Sequence, residues 1–340
     1  MENESFILSM TSYPPRFNSL LDFLKNLNEQ TVYPEKLILN VAFEDMKFLP
    51  VDLKSLQLAF PLEINATEDI GPAKKLIPTL IRYSSSTIVT IDDDIRYPPN
   101  LFRMLLDESA VNPNSIICSR AHEPSFLDGF PSPYIAWKFE VEEMGKRLYC
   151  PTSGAGVLFP PLSLHKEVCD IDKYRSLSFS TDDLWYWVHA IKNRTRIKKT
   201  KESFKIQEFS NALSIPLHSA NILVLNNYNL EKLWLNYNMS QELQDYCQKL
   251  DLKSATYTDL SEYQRMLLDF RLSFLDTDLF DLLDSLPLEL RVKVAREVSV
   301  GYKRVLELMI SSRELPFSSK LVAGNLFRKL RKLFSSLDHS

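Results

Sequence analysis

Residues 85–102 read SSTIVTIDDDIRYPPNLF, a β-branched apolar run that stops on three consecutive aspartates, Asp92, Asp93 and Asp94. The composition of TIVTI, Thr87 to Ile91, suits an interior strand of a parallel sheet, buried on both faces. Pro98 and Pro99 then open a helix that NLFRMLLDESA, residues 100–110, carries forward. Strand, acidic turn and helix follow one another within this short span, and the same unit recurs on either side of it. Phe6 to Thr11 predicts a strand, SYPPRF a turn, and residues 18–30 a helix with leucines and phenylalanines three and four apart. KLILNVA, residues 36–42, predicts a second strand, and LEINATEDIG, residues 62–71, holds a candidate for another. In GPAKKLIPTLIRY, residues 71–83, a glycine and a proline precede a helical pattern with Lys74 and Lys75 in its first turns, and Ser115 to Ser119 is a further strand. Repetition of this unit predicts an α/β fold with a mostly parallel sheet flanked by helices.

The 340 residues, 45% of them hydrophobic, suffice for one large domain or two ordinary ones. A net charge of -4 and a pI of about 5.8 give no overall argument for nucleic-acid binding. The local exception is KNRTRIKKTKESFK, residues 192–205. It lacks an RNA-binding module or a matching aromatic pattern, so the expectation is a solvated strand face or an acidic acceptor site, with no nucleic-acid partner. Cys118, Cys150, Cys169 and Cys247 form neither a CxxC pair nor a disulfide framework, which points to a reducing compartment. The opening MENESFILSM has no positive n-region and no segment approaches eighteen apolar residues, so a cytoplasmic protein whose membrane contact is peripheral is expected.

Three stretches carry chemistry. Carboxylates at the end of a parallel strand lie where open α/β sheets bind ligands, and their oxygens suit Mg2+ or Mn2+ bridging a diphosphate; the plain alternative is a solvated, helix-capping turn. LYCPTSGAGVLFPPLSL, residues 148–164, sets Gly154, Ala155 and Gly156 ahead of an apolar strand, either to let backbone approach a ligand or simply as a tight turn; it is no GxGxxG fingerprint. In FSTDDLWYWVHAIKN, residues 179–193, Asp182 and Asp183 precede Trp185, Trp187 and His189. Thr181 or Asp182 could cap that helix, or one carboxylate could take the proton of a bound hydroxyl.

Taken together, ILSMTSYPPRF, GPAKKLIP, VTIDDDIRYPPN, SGAGVLFPP and STDDLWYW stand in the order and at the separations of the motifs of GT-A glycosyltransferases. Over roughly residues 5–230 the chain resembles a bacterial member near the inverting family 2 group. The resemblance implies a GT-A Rossmann-like catalytic domain over residues 1–235. Thr11, Tyr13 and Arg16 would lie beside the nucleobase and ribose, and Lys74 or Lys75 near the diphosphate. Asp92 and Asp94 fill the outer positions of the DxD motif, Asp94 as metal ligand and Asp92 or Asp93 nearer the ribose or a metal-bound water. His218 is a candidate to complete the metal site, with a packed or surface histidine as the alternative. Asp182 stands at the glutamate of the ED pair and Asp183 at the general base. Gly154, Ala155 and Gly156 would border the sugar and acceptor pocket, Trp185 is a candidate sugar platform or a core residue, and Asn221 and Asn227 are candidate acceptor or loop contacts.

The implied reaction is Mn2+- or Mg2+-dependent transfer from a nucleotide sugar, of the UDP-sugar class, to a glycan or lipid-linked glycan hydroxyl with inversion, in surface polysaccharide synthesis. A noncatalytic carbohydrate- or protein-binding module and a metal-dependent phosphoryl-transfer or hydrolytic enzyme stay open as other classes. Residues 236–340 predict a helical appendage, with Pro287 between two helices. It ends in SKLVAGNLFRKLRKLFSSL, residues 319–337, where Leu326, Phe327, Leu330, Leu333 and Phe334 share one face and Arg328, Lys329, Arg331 and Lys332 surround the other. Such a helix can lie on the inner face of an anionic membrane or dock on protein.

Overall fold

Seven strands of the computed structural model form one sheet, the element that positions everything below. The structure describes residues 5–127, 130–132, 134, 137–142, 145–179, 181–208, 226–253 and 255–256. The strands are β1 (Ile7–Thr11), β2 (Lys36–Ala42), β3 (Leu62–Thr67), β4 (Ile88–Thr90), β5 (Ile116–Cys118), β6 (Val157–Phe159) and β7 (Ile197–Lys199). Their spatial order is β3-β2-β1-β4-β6-β5-β7. Every neighbouring pair is parallel except those made by β6, which runs antiparallel to both β4 and β5. In register, Ile7 stands between Lys36 and Ile88, and Ser9 between Ile38 and Thr90. The fold is thus the mostly parallel, Rossmann-like α/β sheet that the sequence implies.

Chain direction through the sheet reverses beside β1. From β1 the chain proceeds outward to β2 and β3, then returns to place β4 on the other side of β1. Such a switch point leaves a crevice outside the carboxyl ends of the two central strands. Arg16 lies just beyond β1, and the three aspartates lie just beyond β4.

Helices cover the sheet where their apolar spacing allows. α1 (Phe17–Asn26) buries Phe17, Leu20, Phe23 and Leu24, three and four apart, and they join Leu101, Phe102 and Leu105 of α3 (Leu101–Val111) in one core with Leu8, Met10, Leu39 and Val89. α1 is shorter than its pattern predicts, passing into a 3-10 turn at Leu27–Glu29. Likewise Gly71–Lys75 is a 3-10 turn, and α2 (Ile77–Arg82) begins only after it. Pro78 explains the break, since it has no N–H to donate to the Lys74 carbonyl and its ring crowds that turn. Further along lie α4 (Ile171–Leu177), α5 (Asp182–Lys192), α6 (Asn226–Asn236) and α7 (Met239–Leu250).

The basic run differs from its expectation. Lys199 on β7 is 2% exposed, and its Nζ donates to Ser203 Oγ at 2.6 Å. Arg194 pairs with Glu242 at 2.6 Å and Asp245 at 3.4 Å on α7, and Arg196 donates to the Leu250 carbonyl. The expected solvated face is therefore in large part the surface on which α7 docks, with Tyr246 Oη donating to the Thr195 carbonyl at 2.8 Å. Two compact units divide the chain, residues 1–132, 137–214 and 229–258 against 133–136, 215–228 and 259–340. α7 belongs to the first unit. In the second, Asn227 Oδ1 accepts the Tyr134 N–H at 2.6 Å. His218, Asn221 and, of the expected appendage, residues 254 and 257–340 with the basic amphipathic stretch lie outside the described residues. Among the described residues no helix is long and apolar enough to cross a membrane.

Gly156 leads the chain into β6 at φ +103°, and a Cβ there would meet both methyls of Leu101 at 3.1 Å. Gly156→Ala should cost about 1–3 kcal/mol of stability in a urea titration; a loss under about 0.5 kcal/mol would contradict this account of the turn.

Candidate active site

At the carboxyl end of β1 the chain makes a 3-10 turn, Pro14–Arg16, whose prolines restrict the backbone and send the Arg16 side chain across to the loop after β4. Arg16 Nη1 donates to Asp93 Oδ1 at 2.6 Å and Nη2 pairs with Asp94 Oδ2 at 2.7 Å. Ser12 Oγ donates to Asp93 Oδ2 at 2.5 Å. Asp93, 4% exposed, thus has both oxygens occupied, while Asp92 and Asp94 retain side-chain exposures of 33% and 25%. The middle acid is the most buried of the three and, with Asp94, anchors Arg16. Burial pushes the Asp94 carboxyl up to about 6, Asp92 adds to that, and Arg16 opposes it. Burial also disfavours the Arg16 charge, but Asp93 and Asp94 outweigh it and hold the guanidinium firmly protonated. Tyr13 stacks beneath that guanidinium, 5.5 Å from ring centre to Cζ.

A second cation ties this cluster to α5. Lys75 Nζ donates to Asp92 Oδ1 at 2.6 Å and to Ser153 Oγ at 3.1 Å, and lies 3.3 Å from Asp182 Oδ2. Ser153 Oγ in turn donates to Asp182 Oδ2 at 3.0 Å, and its backbone N–H donates to Asp183 Oδ1 at 2.7 Å. Thr181 occupies the N-cap position of α5 without a side-chain cap bond, so the acids at this helix start serve the lysine and the Ser153 turn as well as the helix dipole. Asp183 shares a small cavity with Ile116, Pro151, Phe159 and Tyr186. Burial there raises its carboxyl to about 6; Asp182 reinforces the shift and Lys75 counters it.

The backbone around these groups is closely determined. A Cβ on Gly154 would fall 1.9 Å from Asp92 Oδ2, so only glycine admits this carboxylate. Tyr97 Oη accepts the Asp92 N–H at 2.8 Å and donates to the Gly154 carbonyl, clamping the two loops together. Below Lys75, Ser9 Oγ donates to its carbonyl at 2.5 Å, and Asn40 Nδ2 donates to Thr79 Oγ1 at 3.0 Å. This buried polar network fixes the turn from which the lysine projects.

Other candidates fall elsewhere. Thr11 Oγ1 donates to the Asn40 carbonyl at 2.8 Å and braces β1 on β2. Lys74 turns away to Asp69. Ala155 is buried, its carbonyl accepting from Ser119 Oγ. Trp185 is corrected from sugar platform to core residue: it is 0% exposed, its Nε1 donates to the Val168 carbonyl at 2.9 Å, and its ring packs on Tyr174 and His189. Tyr97, Ser12 and Ser153 are site residues that the sequence reading misses; each acts through one long-range contact that no local pattern marks. For a divalent cation, Asp92 Oδ2 and Asp94 Oδ1 are oxygens to which the described residues give no hydrogen bond, on carboxylates that repel each other. Carboxylate oxygens are the ligand class that Mg2+ and Mn2+ take.

No family model matches the sequence, and no curated protein matches it. Among solved structures the chain is similar to S. aureus TarS 1-349 in complex with UDP, at TM-score 0.45 and 12% identity over 98% of this chain and 91% of that one. The complex of the same protein with UDP-GlcNAc gives 0.43 and 14% over 98% and 92%, and its structure without a named ligand gives 0.42 and 14% over 98% and 91%. What this chain does is read from its own residues.

Folding raises the Asp183 carboxyl from 3.8 to about 6, so the folded state holds this proton more tightly than the unfolded chain. The resulting stability is full below about pH 4 and lost as pH rises through 6. Asp183→Asn, which keeps an oxygen for the Ser153 N–H, should therefore stabilise the protein by on the order of 1–3 kcal/mol at pH 8 and by little at pH 4. Equal effects at both pH values in urea unfolding would contradict the shift.

Proposed function

We propose that the protein is a glycosyltransferase, moving a sugar from a UDP-linked donor to a hydroxyl of a glycan or lipid-linked glycan with inversion, aided by Mn2+ or Mg2+. The observation that carries this is the connection of two carboxylate groups with different surroundings. Asp92 and Asp94 sit at the switch point, and Asp182 and Asp183 open α5, joined through Lys75 and Ser153. The UDP-sugar class and the inverting outcome rest on the sequence resemblance. The proposed setting, surface polysaccharide synthesis at the inner face of the membrane, rests on that resemblance and on the basic amphipathic pattern of residues 319–337.

In this reading the crevice beside Tyr13 and Arg16 takes the nucleoside, with Asp93 holding Arg16 in place. Asp92 and Asp94 would hold the divalent cation, whose chemistry when bound is to neutralise charge on a diphosphate. Asp183 is ionised at neutral pH yet basic enough to accept a proton, the balance a general base requires. It takes the proton of the acceptor hydroxyl as that oxygen bonds to the anomeric carbon and the bond to the departing diphosphate breaks. A single displacement inverts the anomeric centre. Lys75 pairs with Asp182 and Asp92 and makes no hydrogen bond to Asp183, and so divides donor from acceptor chemistry.

Screening nucleotide sugars with Mg2+ or Mn2+ by thermal shift, then testing those that bind with acceptor glycans, checks this reading. Asp94→Ala should weaken metal-dependent donor binding about tenfold or more, whereas Asp183→Asn should bind donor normally and lose transfer by about 100-fold or more. Absence of any nucleotide-sugar binding, or equal loss of binding in both variants, would contradict the assignment. Donor binding by the unaltered protein without turnover on any acceptor would favour a noncatalytic carbohydrate-binding module.

A further inference from the structure

His165, Glu167 and His189 gather at the other end of α5, His189 standing about 9 Å along the helix from Asp183. His165 caps the short turn Lys166–Cys169 and Glu167 lies on it. Each of the three residues offers one ligand atom, and these atoms lie within 4.8 Å of one another. His165 Nδ1 is 4.0 Å from Glu167 Oε2. A tetrahedral ion with bonds of about 2.0–2.2 Å holds its ligands about 3.4 Å apart, so the separations need close by no more than about 1.4 Å.

The independent observation is His189 itself. It is 0% exposed, its Nδ1 lies 2.8 Å from the Trp185 carbonyl, and its Nε2 is buried with no hydrogen-bond partner among the described residues. A buried polar atom left unpaired costs about 1–3 kcal/mol. An Nδ1–H donated to a backbone carbonyl is how metal-binding histidines fix the tautomer that offers Nε2. The Tyr237 ring lies 5.6 Å from that of His189, and its hydroxyl interacts with Glu167.

The one carboxylate of the cluster stands beside two lysines, Lys173 and Lys192, and burial of His189 disfavours its protonated form. Lys192 and Lys173 donate to the two Glu167 oxygens at 2.7 and 3.1 Å, and with Lys192 foremost they hold its carboxyl down to about 2. Lys192 must yield its oxygen to an entering cation, and it has a second partner for its charge, the Tyr237 ring, whose centroid is 3.6 Å from Nζ. Two nitrogens and one oxygen favour a borderline ion such as Zn2+, whereas the all-oxygen crevice favours Mg2+ or Mn2+.

We propose that His165, Glu167 and His189 form a second metal site, which takes a zinc-class divalent ion and leaves its fourth position to water. The ion cross-links the Lys166–Cys169 turn to α5, the helix whose first turn carries the acid pair.

The test uses the full chain, freed of metal by chelation, titrated with Co2+ by visible absorption and with Zn2+ by calorimetry. One equivalent of Co2+ should produce the intense bands of four-coordinate cobalt, and Zn2+ should displace it. His165→Ala, a change at a partly exposed position, should abolish the bands and weaken Zn2+ binding more than about 100-fold. His189→Gln should do the same, and a folded-state check by circular dichroism accompanies it. Asp94→Ala should leave both readouts unchanged. Absence of the bands in the unaltered protein, their survival in His165→Ala, or their loss in Asp94→Ala would each overturn the site.

Discussion

Charge imbalance at the switch point governs the structure around it. Five carboxylates, Asp92, Asp93, Asp94, Asp182 and Asp183, converge on two fixed cations, Arg16 and Lys75. Arg16 satisfies Asp93 and half of Asp94; Lys75 satisfies Asp92 and Asp182. Burial drives Asp94 and Asp183 to about 6, and it raises Asp93 as well, against Arg16 and Ser12. A fold arranged for stability alone would bury apolar groups here, because desolvating charges costs more than their pairing returns. Excess negative charge, held in a crevice that the sheet topology creates, is what the proposed cation and proton roles draw on.

Local backbone geometry sustains that arrangement. Gly154 presses on the Asp92 carboxylate, Tyr97 ties the Asp92 amide to the Gly154 carbonyl, and the Ser9, Asn40 and Thr79 network supports the lysine-bearing turn from below. The antiparallel β6 matters for this reason. It returns the chain from the Ser153–Ala155 turn between β4 and β5, which sets the glycine loop directly against the aspartates.

The strands and their acidic end were legible because β-branched runs and consecutive aspartates are local signals, and Asp92, Asp94, Asp182 and Asp183 do come together. The partners of those acids were not legible. Lys75 and Lys74 are adjacent and chemically alike, and only the 3-10 turn sends one to the aspartates and the other to Asp69. Trp185 reads equally as platform or core until helical phase places it inside. The basic run looks solvated in one dimension because its partners, Glu242 and Asp245, are about fifty residues further along the chain. His165 and His189 are likewise brought together only when the backbone of one bonds to that of the other, His165 N–H to His189 carbonyl at 3.1 Å.

Carboxyl 13C titration of the aspartates by NMR tests the charge account most directly. Asp94 and Asp183 should titrate near pH 6, and adding Mg2+ with a nucleoside diphosphate should draw Asp94 below about pH 5 while leaving Asp183 in place. A titration in which all five crevice aspartates ionise below about pH 4.5 and none responds to Mg2+ would contradict it.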